Sequence, residues 1–124
     1  MASLTLKHVD RAFPNGYEAV KDLNFQIDDG EFVILTGPSG SGKSAVMRMI
    51  AGLDEVKNGE IWIGDKLVNS LPPEERGIAM IFQNYTVYPR MTVLENVELG
   101  LRLRGIDEKE IGKRTLEVME LLDL

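Results

Sequence analysis

Eight consecutive residues, Gly37, Pro38, Ser39, Gly40, Ser41, Gly42, Lys43 and Ser44, set a lysine and a hydroxyl directly after a run punctuated by glycines. They fill every fixed position of the pattern G-x-x-x-x-G-K-[ST]. Glycines let the backbone curl until successive N–H groups converge, a geometry suited to phosphate oxygens. A helix opening at Lys43 would add the partial positive charge of its N-terminus on the same side. In such a loop Lys43 reaches the β- and γ-phosphates and the Ser44 hydroxyl ligates Mg²⁺. The chemistry expected is the binding of a nucleoside triphosphate, ATP, with its metal. The plain alternative is a glycine-rich turn whose lysine is only surface charge.

The loop works only between a strand and a helix, and the flanking residues have those patterns. Phe32-Val33-Ile34-Leu35 is a continuous apolar run, which predicts a strand buried on both faces. Beyond Lys43, Val46, Met47, Met49 and Ile50 recur at helical spacing, and Gly52 is placed to cap the helix. Upstream, residues 3–9 alternate imperfectly and Leu23-Asn24-Phe25-Gln26-Ile27 alternates strictly, so both read as strands. Pro14-Asn15-Gly16 and Asp28-Asp29-Gly30 are turns. Downstream, Ile61-Trp62-Ile63 predicts a short strand, and Ile78-Ala79-Met80-Ile81-Phe82 a second buried one. From Thr92 the pattern is helical, with Glu95 three residues on as in a capping box. A last amphipathic helix over 108–122 would turn Ile111, Leu116, Met119 and Leu122 to one side. The chain stops at Leu121-Leu122-Asp123-Leu124, still in helical pattern, which suggests a portion of something longer.

Composition narrows the class. The 124 residues suit a single domain of about 100 to 150 residues. Their 44% hydrophobic and 27% charged content is that of a globular protein. A net charge of −6 argues against a nucleic-acid surface. Without cysteine there are no disulfides and no thiolate metal sites. Neither a signal-peptide pattern nor an apolar run of about 20 residues is present, so the expected compartment is the cytoplasm.

Which nucleotide machine this is depends on the remaining residues. Asp29-Gly30-Glu31-Phe32, the loop, Arg48-Met49-Ile50-Ala51-Gly52-Leu53 and Asn58-Gly59-Glu60-Ile61-Trp62-Ile63-Gly64 follow one another in order. Leu71-Pro72-Pro73, Arg76 to Tyr85 with Gln83, Tyr88-Pro89-Arg90-Met91-Thr92-Val93 and Glu95-Asn96 complete the run. Across essentially its whole length the chain resembles the N-terminal half of an ATP-binding-cassette transporter ATPase, most of all the ATPase subunits of bacterial sugar importers. The resemblance implies an α/β fold. Residues 1–30 would form an antiparallel β region, 31–91 a P-loop NTPase core through Gln83, and 92–124 the start of a helical subdomain, together incomplete.

The resemblance also implies roles. Gln83 would help ligate Mg²⁺ and sense the γ-phosphate, so Lys43 and Gln83 are the catalytic candidates. Phe13 would stack on adenine, with Tyr17 as its rival, and Val20 would pack beside the base. Residues 84–91, with Tyr85, Tyr88 and Pro89, would face transmembrane permease subunits, unless those aromatics fill the domain's own core. Two such subunits would pair around ATP, at the inner face of a membrane.

Ala45 departs from the family, which usually has a second hydroxyl there to contact the α-phosphate. One lost hydrogen bond to a charged group is worth about 1.5 to 3 kcal/mol, a tenfold or larger loss of affinity. The sequence also contains no Leu-Ser-Gly-Gly-Gln signature and no later strand ending in Asp-Glu. Hydrolysis needs a positioned water and a base, so turnover by this chain alone is not expected. Two alternatives stand: a non-catalytic nucleotide-binding or interaction module, and a small P-loop kinase.

Overall fold

A computed structural model describes residues 2–12, 15–84 and 87–124. The chain forms two compact units, Met1–Met80 and Ile81–Leu124.

The first unit is built on a four-stranded antiparallel sheet. Its strands are β1 (Leu4–Ala12), β2 (Glu18–Ile27), β3 (Asn58–Ile63) and the short β4 (Lys66–Leu67), in the order β2-β1-β3-β4. Leu6 lies opposite Phe25 on one side and Ile61 on the other, and the pleat, shifted one residue by the irregularity near His8, carries Leu6, Val9, Val20 and Ile61 to one face. Helix α1 (Lys43–Ala51) lays Ala45, Val46 and Met49 on that face, and Val68 closes the cluster. Burying each large side chain contributes about 1.5 to 3 kcal/mol, enough to hold a nine-residue helix that would be marginal by itself. Strands β1 and β2 extend beyond the residues the alternation predicts. The pairing is irregular near His8 and Asp22, which both have left-handed backbones. There the His8 N–H donates to Asn24 Oδ1 at 2.8 Å and the Asp22 N–H to Asp10 Oδ1 at 2.7 Å.

The second unit pairs α2 (Val93–Leu103) with α3 (Glu108–Leu122). The capping box at Thr92 and Glu95 forms as its spacing predicts. Buried Glu98 accepts two hydrogen bonds from Arg102, whose other amino group bonds Glu108 at the start of α3. That charge-assisted link fixes the turn between the helices.

Three expectations need correction. Residues 32–35 are not a strand: Phe32 is 87% and Ile34 69% exposed. Residues 78–82 are not a strand either, and Ile81 is 93% exposed. A continuous apolar run becomes a buried strand only if strands lie on both sides to take its N–H and C=O groups. Among the described residues neither run pairs with another. On α3 the buried residues are Ile111 and Thr115, while Leu116 and Leu122 are exposed, so the inward face is offset from the one predicted. That helix also ends on a left-handed Asp123, whose N–H returns to Glu120 and Met119.

Candidate functional site

Residues 37–44 run from the exposed segment 32–36 into the first turn of α1. Gly42 is the N-cap, with φ 88° and ψ 0°, a conformation costly for any residue with a Cβ. The fit is tight as well: a Cβ on Gly42 would collide with the Ala19 carbonyl and press on Val20. Glycine therefore lets the loop lie flat against β2. The first turn of α1 has no side-chain cap and no acidic residue, so its N–H groups and dipole remain available to an anion.

Lys43 supplies the full charge. Its ammonium donates to the carbonyls of Gly37 and Pro38, both at 2.7 Å, and to Ser41 Oγ at 3.3 Å. Those bonds hold the lysine over its own loop. Residues 40–45, together with half-exposed Tyr17, line a cavity of about 260 Å³. Uncapped N–H groups, a lysine and a serine hydroxyl gathered at one cavity fit the phosphates of a nucleotide and the Mg²⁺ that accompanies them.

The sequence-predicted residues divide between places. Gly40, Ser41, Gly42, Lys43, Ser44 and Ala45 come together at the cavity, and Gly37 and Pro38 hold Lys43 from above. Ala45 serves two surfaces, since it lines the cavity and is also buried in the core. Val20 lies in the core beside Gly42. Gln83 is exposed and belongs to the second unit. Phe13 and Tyr85 lie outside the described residues. Tyr17, the rival aromatic, is the one described at the cavity.

In the second unit, Asn96 shapes the segment the sequence assigns to a partner. Its side chain accepts from the Tyr88 N–H at 2.8 Å and donates to the carbonyls of Thr92 at 2.8 Å and Met91 at 3.2 Å. The turn so fixed opens an apolar hollow of about 430 Å³ lined by Val87, Tyr88, Pro89, Met91, Val93 and Val97.

Two residues escaped the sequence reading. Arg76, buried to 6% exposure, clasps carbonyls at the end of α1. Asp54 holds Arg48 of α1, and its hydrogen bond and charge raise the guanidinium's pKa. An isolated arginine or aspartate in a loop has no pattern that marks it.

A glycine-rich loop that runs straight into a helix is the loop–helix part of the phosphate-loop unit of α/β proteins. A profile of the ABC transporter family matches residues 20–124, and the chain belongs to that family. The sn-glycerol-3-phosphate import ATP-binding protein UgpC of Jannaschia sp. (strain CCS1) is 48% identical over all of this chain, which covers 36% of that relative. The maltose/maltodextrin import ATP-binding protein MalK of Yersinia pestis bv. Antiqua (strain Antiqua) is 51% identical over 126 aligned residues. They include all of this chain and 33% of that protein. The chain thus spans about a third of the length of these curated relatives. Among solved structures, the dimeric ATP-binding cassette MJ0796, in a post-hydrolysis state bound to ADP and Pi, superposes with a TM-score of 0.82 at 35% identity. That match takes in 98% of this chain and 57% of the cassette. Among the described residues no helix is long and apolar enough to cross a membrane.

Proposed function

We propose that this chain binds Mg-ATP through residues 37–45 and that the protein it represents is the ATP-binding subunit of a solute importer. The observation that carries the reading is Lys43, held at the mouth of a cavity walled by an uncapped helix start. The lysine would leave its carbonyl partners for phosphate oxygens, a stronger, doubly charged hydrogen bond. The loop N–H groups would take the remaining phosphate oxygens, and Ser44 would hold Mg²⁺. When bound, Mg²⁺ neutralises charge on the β- and γ-phosphates. Tyr17 or Phe13 would offer its ring to adenine, with Val20 behind it. Gln83 is assigned to the metal and γ-phosphate by resemblance alone.

The relatives import sn-glycerol-3-phosphate or maltose and maltodextrin, which supports a sugar or a small polyol phosphate as the solute. The hollow around Tyr88 and Pro89 supports docking of permease subunits, and the dimeric cassette supports pairing of two ATPase subunits. Such a subunit would sit in the cytoplasm against the membrane. Hydrolysis calls for a carboxylate base aligned on the attacking water, a role we assign to no residue of this chain. The chain alone is therefore expected to bind and not to turn over.

Calorimetric titration of Mg-ATP into the 124-residue chain tests the reading, with Lys43→Ala as control. Binding that the substitution abolishes is expected. A folded wild-type chain that takes no nucleotide would overturn it.

A further inference from the structure

The nucleotide cavity has two walls of different origin, and something must hold them in register. The phosphate wall is the start of α1. The other wall is Tyr17, at the end of the hairpin whose last pairs are Arg11 with Val20 and Ala12 with Glu18. Core packing fixes α1 on the sheet through Val46 and Met49, and Gly42 lies against Ala19 and Val20 of β2.

We propose that Asp54 is a positioning residue that locks the hairpin to α1 and so sets the base-side wall of the cavity against the phosphate loop. The inference rests on the nucleotide-binding reading given above. One carboxylate oxygen of Asp54 accepts from Arg48 Nη2 of α1 at 3.1 Å. The other lies 3.6 Å from Arg11 Nη2 at the end of β1. The Asp54 N–H also donates to the Arg48 carbonyl at 3.3 Å, so its backbone is anchored to the helix as well. Three residues on, the Lys57 N–H donates to the Asp10 carbonyl at 2.9 Å, and its ammonium lies 3.6 Å from Glu18 at the start of β2. Residues 54–57 therefore form a strap from the end of α1 to both strands of the hairpin.

Burial sets the Arg11–Asp54 pair apart from the exposed ion pairs among the described residues. The side chains of Asp54 and Arg11 are 15% and 18% exposed, whereas His8 and Asp22 stand mostly in water. Exposed pairs contribute little; sheltered ones are screened far less. Without the Asp54 charge, the Arg11 and Arg48 guanidinium groups would lose the carboxylate they share, and the hairpin end would lose one of its ties to the helix. The phosphate loop would not, because its own bonds run from Lys43 to Gly37, Pro38 and Ser41.

The two walls can be read separately with two ligands. Mg-ATP needs both, and Mg-tripolyphosphate needs the loop alone. Calorimetric titration of both into the wild-type chain, Asp54→Asn and Arg11→Gln would follow each wall, with thermal melts to confirm folding. Both variants are expected to weaken ATP about three- to tenfold and leave tripolyphosphate within about twofold, because only the fraction with the hairpin in place binds the base. Equal weakening of both ligands, or none of either, would overturn the positioning role. Should Asp54→Asn fail to fold, Arg11→Gln, which alters only the hairpin side of the strap, decides the same comparison. A wild-type chain that binds neither ligand would overturn the nucleotide reading itself, whereas normal wild-type binding with unaltered variants removes only the role of Asp54.

Discussion

The guanidinium of Arg76 donates a 2.8 Å hydrogen bond to the carbonyl of Met49, closing the last turn of α1 from 27 residues further along the chain. It also donates to the carbonyls of Ile50 at 3.1 Å, Leu71 at 2.9 Å and Asn69 at 3.4 Å. Helix C-termini leave their last carbonyls without partners and carry partial negative charge. One buried cation satisfies both needs, although desolvation lowers its pKa somewhat. The helix that opens on the phosphate loop is thus tied down at its other end by Arg76.

Replacing this cation should be felt throughout the first unit. Arg76→Met fills similar space but leaves buried carbonyls unpaired, so a loss of about 2 to 4 kcal/mol is expected. Urea unfolding followed by the fluorescence of Trp62 measures it. An unchanged midpoint would mean that water replaces the guanidinium without cost.

Ala45 lines the cavity while its methyl group belongs to the core. Ala45→Ser adds a donor at the cavity with little added volume. A new hydrogen bond to a phosphate should tighten Mg-ATP about tenfold. The gain should vanish in a Lys43→Ala background, and titration of the four variants checks both statements.

Phe32, Ile34 and Ile81 expose large apolar surface on segments that pair with no strand among the described residues. Exposed apolar surface of this kind recruits other chains. Sedimentation velocity should therefore show concentration-dependent association. The double substitution Phe32→Glu and Ile34→Lys should reduce it without weakening tripolyphosphate. A wild-type chain that stays monomeric at high concentration would contradict this.

Acid should loosen the β1–β2 hairpin. The Asp22 N–H, and then the Asn58 amide, hold the Asp10 carboxylate below the usual range; His8, and then Asn24, do so for Asp22. Both pKa values are lowered on folding, so both carboxylates stabilise the fold above the unfolded value of about 4, and that stability is lost as the pH falls through the lowered values. Melting temperature should drop below about pH 4. Asp10→Asn should flatten that drop. A wild-type profile that is already flat would remove the effect.

Much of the local structure was legible because its causes are local. The helix from Lys43, its glycine cap at Gly52 and the capping box at Thr92 depend on residues within a turn or two of each other. The loop at 37–44 was legible for the same reason: φ above zero at glycine, and a lysine and hydroxyl at fixed offsets, are properties of eight neighbouring residues. The strand readings at 32–35 and 78–82 did not hold, because apolar runs state a need for partner strands without supplying them.

The sequence by itself determined the glycine loop, the strand character of residues 4–9 and 23–27, and the helices. Tertiary structure decided which runs became strands and which face α3 buries. It alone showed that Asp54 and Arg76 both brace the C-terminal end of α1. Ion pairs and carbonyl clasps join residues far apart in the chain, and their strength comes from burial, which exists only once the chain has folded.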